Sequence, residues 1–138
     1  MITFQPQDIK FDLKEKKKSK NWLKSIALKE GYKMGDLNYI FMSDEALLKM
    51  NLQYLNHDTY TDIITFDNSE DHSSIYGDIF ISIDRVKENA ESFKTQFENE
   101  LRRVLAHGLL HLCGYKDKSE EEAKLMREME EQSLALWV

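Results

Sequence analysis

His107 and His111, followed by Gly114 and Asp117, constrain this chain more than any other feature. The run around them carries apolar residues at helical spacing, so the two histidines stand on one helix, offset by about 40° around its axis and about 6 Å along it. Both imidazoles therefore point the same way. Gly114 follows three residues after the second histidine, where glycine adopts the left-handed backbone that ends a helix without steric cost. There the chain turns back and carries Asp117 toward the two rings. Two nitrogens and one carboxylate oxygen then converge and leave a fourth tetrahedral position open, as in a catalytic metal site rather than a closed structural one. A histidine pair alone is also common as a satisfied surface or core group; the glycine and the third hard ligand set this pattern apart. Leu101, Val104, Leu105, Gly108, Leu109 and Leu112 give the helix a broad apolar surface, while Glu100, Arg103, His107 and His111 form a separate polar stripe. A ligand helix of this kind is buried on most sides, which suits a rigid site.

The remaining elements are placed around it. Ile2 to Gln5 reads as a short strand. A lysine-rich run, Lys14 to Lys20, leads into Trp22, Leu23, Ile26 and Ala27 at helical spacing, stopped by Gly31. Leu37 to Met42 alternates as a strand, and Ser43 or Asp44 caps a helix whose Leu48, Leu52 and Leu55 line up as an apolar stripe. Asp62 to Phe66 is rich in β-formers and is a second central strand. After a polar loop, Asn68 to Ser74, the segment Tyr76 to Ile83 is a strand with isoleucines at 79, 81 and 83 on one face. Asp84 opens a helix with Val86, Ala90 and Phe93 on its apolar side. Ser119 and Glu122 form a capping box that starts a last helix, with Leu125, Met126, Met129, Ser133 and Leu136 available to cover the core. The architecture is α+β: a small mixed sheet of about four strands packed with about five helices, the metal lying in a cleft beside the central helix.

A chain of 138 residues with 41% hydrophobic content is the size of one ordinary domain, expected over residues 1–138. Met1 to Pro6 lacks the basic-then-apolar pattern of a signal peptide, and no apolar run is long enough to cross a bilayer, so the protein is expected in the cytoplasm. The single cysteine, Cys113, lies about 200° around the helix from His111 and reads as a small buried residue rather than a ligand. The net charge of −6 argues mildly against nucleic acid, but the charge is polarised along the chain. Lysines gather near the N-terminus, whereas Glu120, Glu121, Glu122, Glu128, Glu130 and Glu131 load the last helix. Lys16, Lys17, Lys18 and Lys20 admit two readings, a solvated helix face or a phosphate-contacting patch. Lys116 admits the same two. His57 and His72 fall in polar segments and read as exposed loop residues.

The spacing of the histidine motif matches the HExxHxxGxxH/D of metzincin peptidases, except that Gly108 stands where those enzymes carry their general-base glutamate. Through its intervening residues the motif resembles instead the YbeY family, whose signature is HGxLHLxGYDH. His107, Gly108, Leu110, His111, Leu112, Gly114 and Tyr115 fit it; the family's aspartate is Lys116 here and its third histidine is Asp117. The resemblance extends to LNxxYRxxDxPTDVLSF and the GDIxIS strand through Asn51, Tyr54, Asp58, Thr61, Asp62, Phe66, Gly77, Asp78, Ile79, Ile81 and Ser82. The family's arginine falls on Leu55 and its proline on Tyr60. That arginine is a cation which the family places near the metal, where it could hold a phosphate.

The resemblance implies a metal-dependent, single-strand-specific endoribonuclease acting in rRNA processing at the 16S rRNA 3′ end, on the small ribosomal subunit, in ribosome biogenesis. One Zn²⁺ held by His107, His111 and Asp117 would lower the pKa of water in its open position toward ~7 or polarise a phosphate oxygen. Lys16, Lys17, Lys18, Lys20 and Lys116 would steer the RNA backbone. No general base stands out, since Asp62 and Asp78 lie in strands, where aspartates more often bond backbone than abstract protons. Two rival readings are a ribosome-assembly factor with a structural metal, kept open by Leu55, and a zinc metallopeptidase, against which Gly108 counts.

Overall fold

The computed structural model describes residues 1–57 and 60–138; Asp58, one of the positions matching the family pattern, lies outside the described residues. Nine elements follow in order: β1 (Ile2–Pro6), α1 (Lys16–Lys29), β2 (Lys33–Met42), α2 (Asp44–Leu55), β3 (Ile63–Asp67), β4 (Ser74–Ser82), α3 (Ile83–Ser92), α4 (Phe97–Leu112) and α5 (Glu120–Ala135). The sheet runs β1-β2-β4-β3, with β1, β2 and β4 parallel and β3 antiparallel to β4. The α+β expectation therefore holds, with four strands and five helices among the described residues. The parallel pairs need crossovers, which α1 and α2 supply, while β3 and β4 close as a hairpin. That hairpin loop turns on Asp67 and Asp71, each accepting from the backbone N–H and hydroxyl of a serine two residues on.

Strand alternation decides what the sheet presents to its helices. Leu37, Tyr39, Phe41, Ile79 and Ile81 point to one face, are at most 1% exposed, and join Leu105, Leu109 and Leu110 of α4 and Trp22, Leu23 and Ile26 of α1 in the main core. The opposite face is partly covered by α2, whose Leu47 packs with Met42 and Ile64. α4 is the hub, touching α1, α3, α5, β3 and β4.

Three sequence expectations are corrected. The buried line of α2 is Leu47 and Asn51, with Leu52 and Leu55 exposed, because the helix turns toward the Met42, Ile64 and Phe80 end of the sheet rather than toward the main core. Phe93 is 63% exposed: α3 ends at Ser92 and Lys94 takes a positive φ of 53°, so the ring leaves the helical face. On α5 the inward line is Met126, Glu130 and Ser133, leaving Leu125 and Leu136 exposed. Caps are local and fall as read: the Ser43 and Ser119 hydroxyls accept from Ala46 N–H and Glu122 N–H, and Glu122 completes the box on Ser119 N–H. α3 is capped by Ser82, two residues before Asp84.

Candidate metal centre

The site begins with how α4 ends. Its last turn closes with Cys113, and Gly114 then takes φ 101°, the left-handed conformation expected of it. Tyr115 anchors the returning chain: its hydroxyl donates to Glu30 Oε1 at the end of α1, 2.6 Å away, and its carbonyl accepts from His111 Nδ1 at 3.0 Å. Held this way, the next residues bring Asp117 over the histidines. His107 Nε2 and His111 Nε2 are 3.0 Å apart, and Asp117 Oδ2 lies 3.3 Å from the first and 3.2 Å from the second.

This triangle fits a metal ion on two grounds. A tetrahedral ion with bonds of about 2.0–2.1 Å places its ligand atoms about 3.3 Å apart, close to the observed edges. The tautomers point the same way. A carbonyl can only accept, so His111 carries its proton on Nδ1; His107 Nδ1 donates to the Glu130 carboxylate at 2.6 Å. With each Nδ1 committed in this way, both Nε2 atoms turn inward toward Asp117 Oδ2, and the three atoms can close around a cation, whether a proton or a metal ion.

Glu130 is what the sequence reading passed over, as one of six glutamates in an acidic segment. It is 4% exposed and also accepts from Arg103 Nη1 at 2.8 Å; Arg103 in turn pairs with Glu100, itself buried, through Nε and Nη2. Its signal was positional: Met126, Glu130 and Ser133 follow the i, i+4, i+7 spacing of an inward line. Burial pushes the Glu130 carboxyl up, but its bonds to His107 and Arg103 prevail and hold it below the usual value. Burial likewise disfavours the His107 cation, yet Glu130, with Asp117 and Asp62, raises its pKa overall. The field here favours positive charge between the rings.

The three ligand candidates open on a cleft of about 630 Å³ whose walls include Leu55, His57, Asp62, Asp67, Arg103 and Lys118. Leu55, at the position of the family's arginine, thus faces the cleft with an apolar side chain. His57 is exposed but belongs to this wall, whereas His72 is an exposed loop residue elsewhere. Asp78 lies on the other face of the sheet, accepting from Asn38 Nδ2 at 2.9 Å and Asn68 Nδ2 at 3.0 Å, which is a structural task. Cys113 is buried, its thiol pushed up to about 12 by burial, and takes no part.

The lysines divide. Lys116 is exposed beside Asp117, and Lys118, which sequence reasoning did not single out, lines the cleft. Lys16, Lys17, Lys18 and Lys20 are elsewhere. Lys18 lies 4.4 Å from the centroid of Trp137, a ring that Arg102 also faces at 4.4 Å, and Lys16 pairs with Asp12 at 2.9 Å. Arg102 precedes His111 by nine residues of α4, about 14 Å along the axis and half a turn around it. Lys18 therefore lies away from the cleft, and none of Lys16, Lys17, Lys18 and Lys20 lines it.

Comparison with known proteins gives the family. Residues 1–137 match the family model described as Endoribonuclease YbeY. Relatives named Endoribonuclease YbeY include those of Cytophaga hutchinsonii, 56% identical over 98% of this chain and 94% of the relative, and Flavobacterium psychrophilum, 51% identical over 99% and 96%. A solution structure from Thermotoga maritima is similar with a TM-score of 0.69 at 31% identity, covering 99% of this chain and 88% of that one. With the histidine motif, the glycine turn and the match along nearly its whole length, the chain belongs to the YbeY endoribonuclease family.

Proposed function

We propose that this chain is a zinc-dependent endoribonuclease of single-stranded RNA, working as one domain over residues 1–138 with one Zn²⁺ per chain held by His107, His111 and Asp117. Its place is the cytoplasm, in maturation of the 16S rRNA 3′ end on the small ribosomal subunit, as part of ribosome biogenesis. The observation that carries the reading is the triangle of three acceptor atoms 3.0–3.3 Å apart, at the floor of a cleft wide enough for a nucleotide backbone. Membership of the YbeY family supports the substrate class. Among the described residues no helix is long and apolar enough to cross a membrane.

A bound zinc ion supplies Lewis acidity at the cleft floor. Everything else falls to the chain's own side chains. Glu130 and the Tyr115 carbonyl fix the two rings with Nε2 inward. Arg103 has its fork engaged by Glu100 and Glu130, so Lys118 and His57 are the groups on the wall left to meet a phosphate, with Lys116 at the rim. The α1 lysines serve only RNA that extends around the molecule. Gly108 weighs against a peptidase: the glutamate is missing, and a Cβ there would meet Ile79 Cδ1 at 2.9 Å and Ile63 Cδ1 at 3.0 Å, so both isoleucines would have to shift to admit a larger residue.

Elemental analysis after zinc reconstitution, alongside cleavage of a single-stranded RNA, tests the reading. About one zinc per chain is expected in the wild type and a marked loss in Asp117→Ala, with cleavage falling in parallel. Undiminished cleavage by a metal-free His111→Ala variant overturns it.

A further inference from the structure

We propose that Asp62 is the proton acceptor of the cleavage reaction, a carboxylate delivered from the start of β3 to do what a glutamate on the ligand helix does in zinc peptidases. This rests on the endoribonuclease reading above. Gly108, the residue after His107, carries no base, and Ile63 of β3 and Ile79 of β4 pack close against it. The same contact brings β3 to the site. Asp62 is the residue before Ile63, and it emerges in the wall of the cleft that His107, His111 and Asp117 share.

The other carboxylates of that wall are committed. Asp117 belongs to the ligand triangle, and Asp67, exposed at the far end of β3, accepts from Ser69 N–H at 2.9 Å and from its hydroxyl at 2.6 Å. Asp62 differs on both counts. It is half-buried, and among the described residues no other residue donates a hydrogen bond to its carboxylate. Its backbone is fixed, because the Asp62 carbonyl accepts from Ser82 N–H at 3.0 Å, tying the head of β3 to the end of β4. A carboxylate just ahead of a strand, on the wall of a cleft and bonded among the described residues only by its own backbone N–H, is placed to take a proton rather than to hold structure.

Its surroundings suit that task. Burial raises the Asp62 carboxyl above its ordinary value; His107 and Arg103 offset part of this and Glu100 adds to it. These three come from α4, while His57, Asp67, His111, Asp117 and Lys118 complete the titratable and charged groups of the wall among the described residues. A base brought nearer the working pH from below is a better acceptor. In the step itself, an O–H bond of the attacking water breaks and its proton passes to an Asp62 Oδ. The water oxygen forms the new bond to phosphorus and the P–O bond to the leaving ribose oxygen breaks. That oxygen takes a proton from solvent and Asp62 returns its own to solvent.

The test compares wild type with Asp62→Asn, zinc-loaded, on a single-stranded RNA and on bis(p-nitrophenyl) phosphate from pH 5 to 9. Zinc content by elemental analysis and RNA affinity of the metal-free proteins by fluorescence anisotropy are read in parallel. The expected result is a drop in kcat of about 100-fold or more on RNA, while zinc content and RNA affinity stay at wild-type levels. Should Asp62→Asn fold poorly, Asp62→Ala with added formate replaces it, and restoration of the rate by formate supports the role. A variant within about threefold of the wild-type rate overturns the assignment, and so does a rate that falls only in step with zinc content. If the wild type hydrolyses the small diester in an Asp62-dependent way but leaves RNA intact, the RNA reading falls and the assignment stands. If it hydrolyses neither, both fall.

Discussion

Replacing Glu130 by glutamine removes one negative charge from the centre of the molecule and leaves the side-chain volume almost unchanged. Glu130 is 4% exposed and joins two partners, Arg103 Nη1 at 2.8 Å and His107 Nδ1 at 2.6 Å. Glutamine retains a single carbonyl acceptor, so one of the two charge-assisted bonds is lost and the other becomes neutral at the acceptor. Hydrogen bonds to charged groups are worth about 1.5–3 kcal/mol each, so the metal-free protein should lose roughly 2–4 kcal/mol. Glu130→Ala, which removes the acceptor of both the half-buried Arg103 and His107, should lose more than the glutamine variant, about 3–5 kcal/mol. In urea, with a slope of about 1–3 kcal/mol/M, the glutamine variant should unfold at a midpoint lower by about 1–2 M. Zinc affinity, read by competition with a chromophoric chelator, should fall about 10–100-fold as His107 loses the partner that orients its ring. Arg103→Lys should weaken both readouts less, because it leaves the Glu130 to His107 bond in place. A Glu130→Gln protein with wild-type zinc affinity and urea midpoint would refute the role of the buried pair.

Gly108→Ala gains about 1 kcal/mol of helix propensity but drives a methyl into Ile79 and Ile63, an overpacking worth about 1–3 kcal/mol, so thermal unfolding should show a net loss of up to about 2 kcal/mol. The same displacement moves β3, and activity should fall further than stability does. pH acts on the metal-free protein through His107 and Glu130. His107 is raised in the folded state, so its contribution is full below its unfolded value near 6.5 and is lost as pH rises through the folded value. Glu130 is lowered, so its contribution is present above 4.5 and is lost as pH falls through its folded value. The metal-free protein should therefore be most stable in mildly acidic solution, and urea midpoints at pH 5.5 and 8 measure it. Zinc should reverse the alkaline loss, because it takes the position of the His107 proton. Salt titration of RNA binding should show a smaller slope for Lys118→Ala than for wild type, while Lys16→Ala and Lys17→Ala should leave the slope for a short RNA unchanged.

What could be read from residue order alone was what depends on near neighbours. The two histidines share a face because four residues make little more than one turn, and Gly114 turns the chain because it alone among its neighbours takes φ 101° without strain. The Ser119 capping box and the alternation of Ile79 and Ile81 are local in the same sense. Periodicity also showed that α2, α3 and α5 have an inward side, but not which side: Leu52, Phe93 and Leu125 were candidates and are exposed. That choice depends on what lies across the interface, and a helix rotates to meet it. The same limit hid Glu130, which meets His107 across 23 positions of sequence, and it left Asp62 and Asp78 looking alike. Asp62 lies just ahead of β3 and emerges in the cleft, whereas Asp78 lies within β4 on the far face of the sheet. Sequence by itself determined the ligand motif, the elements and their caps, because those rest on backbone geometry within a turn or two. Only the tertiary structure decided which carboxylate backs His107 and which opens on the cleft, because both depend on packing between segments that local pattern does not relate.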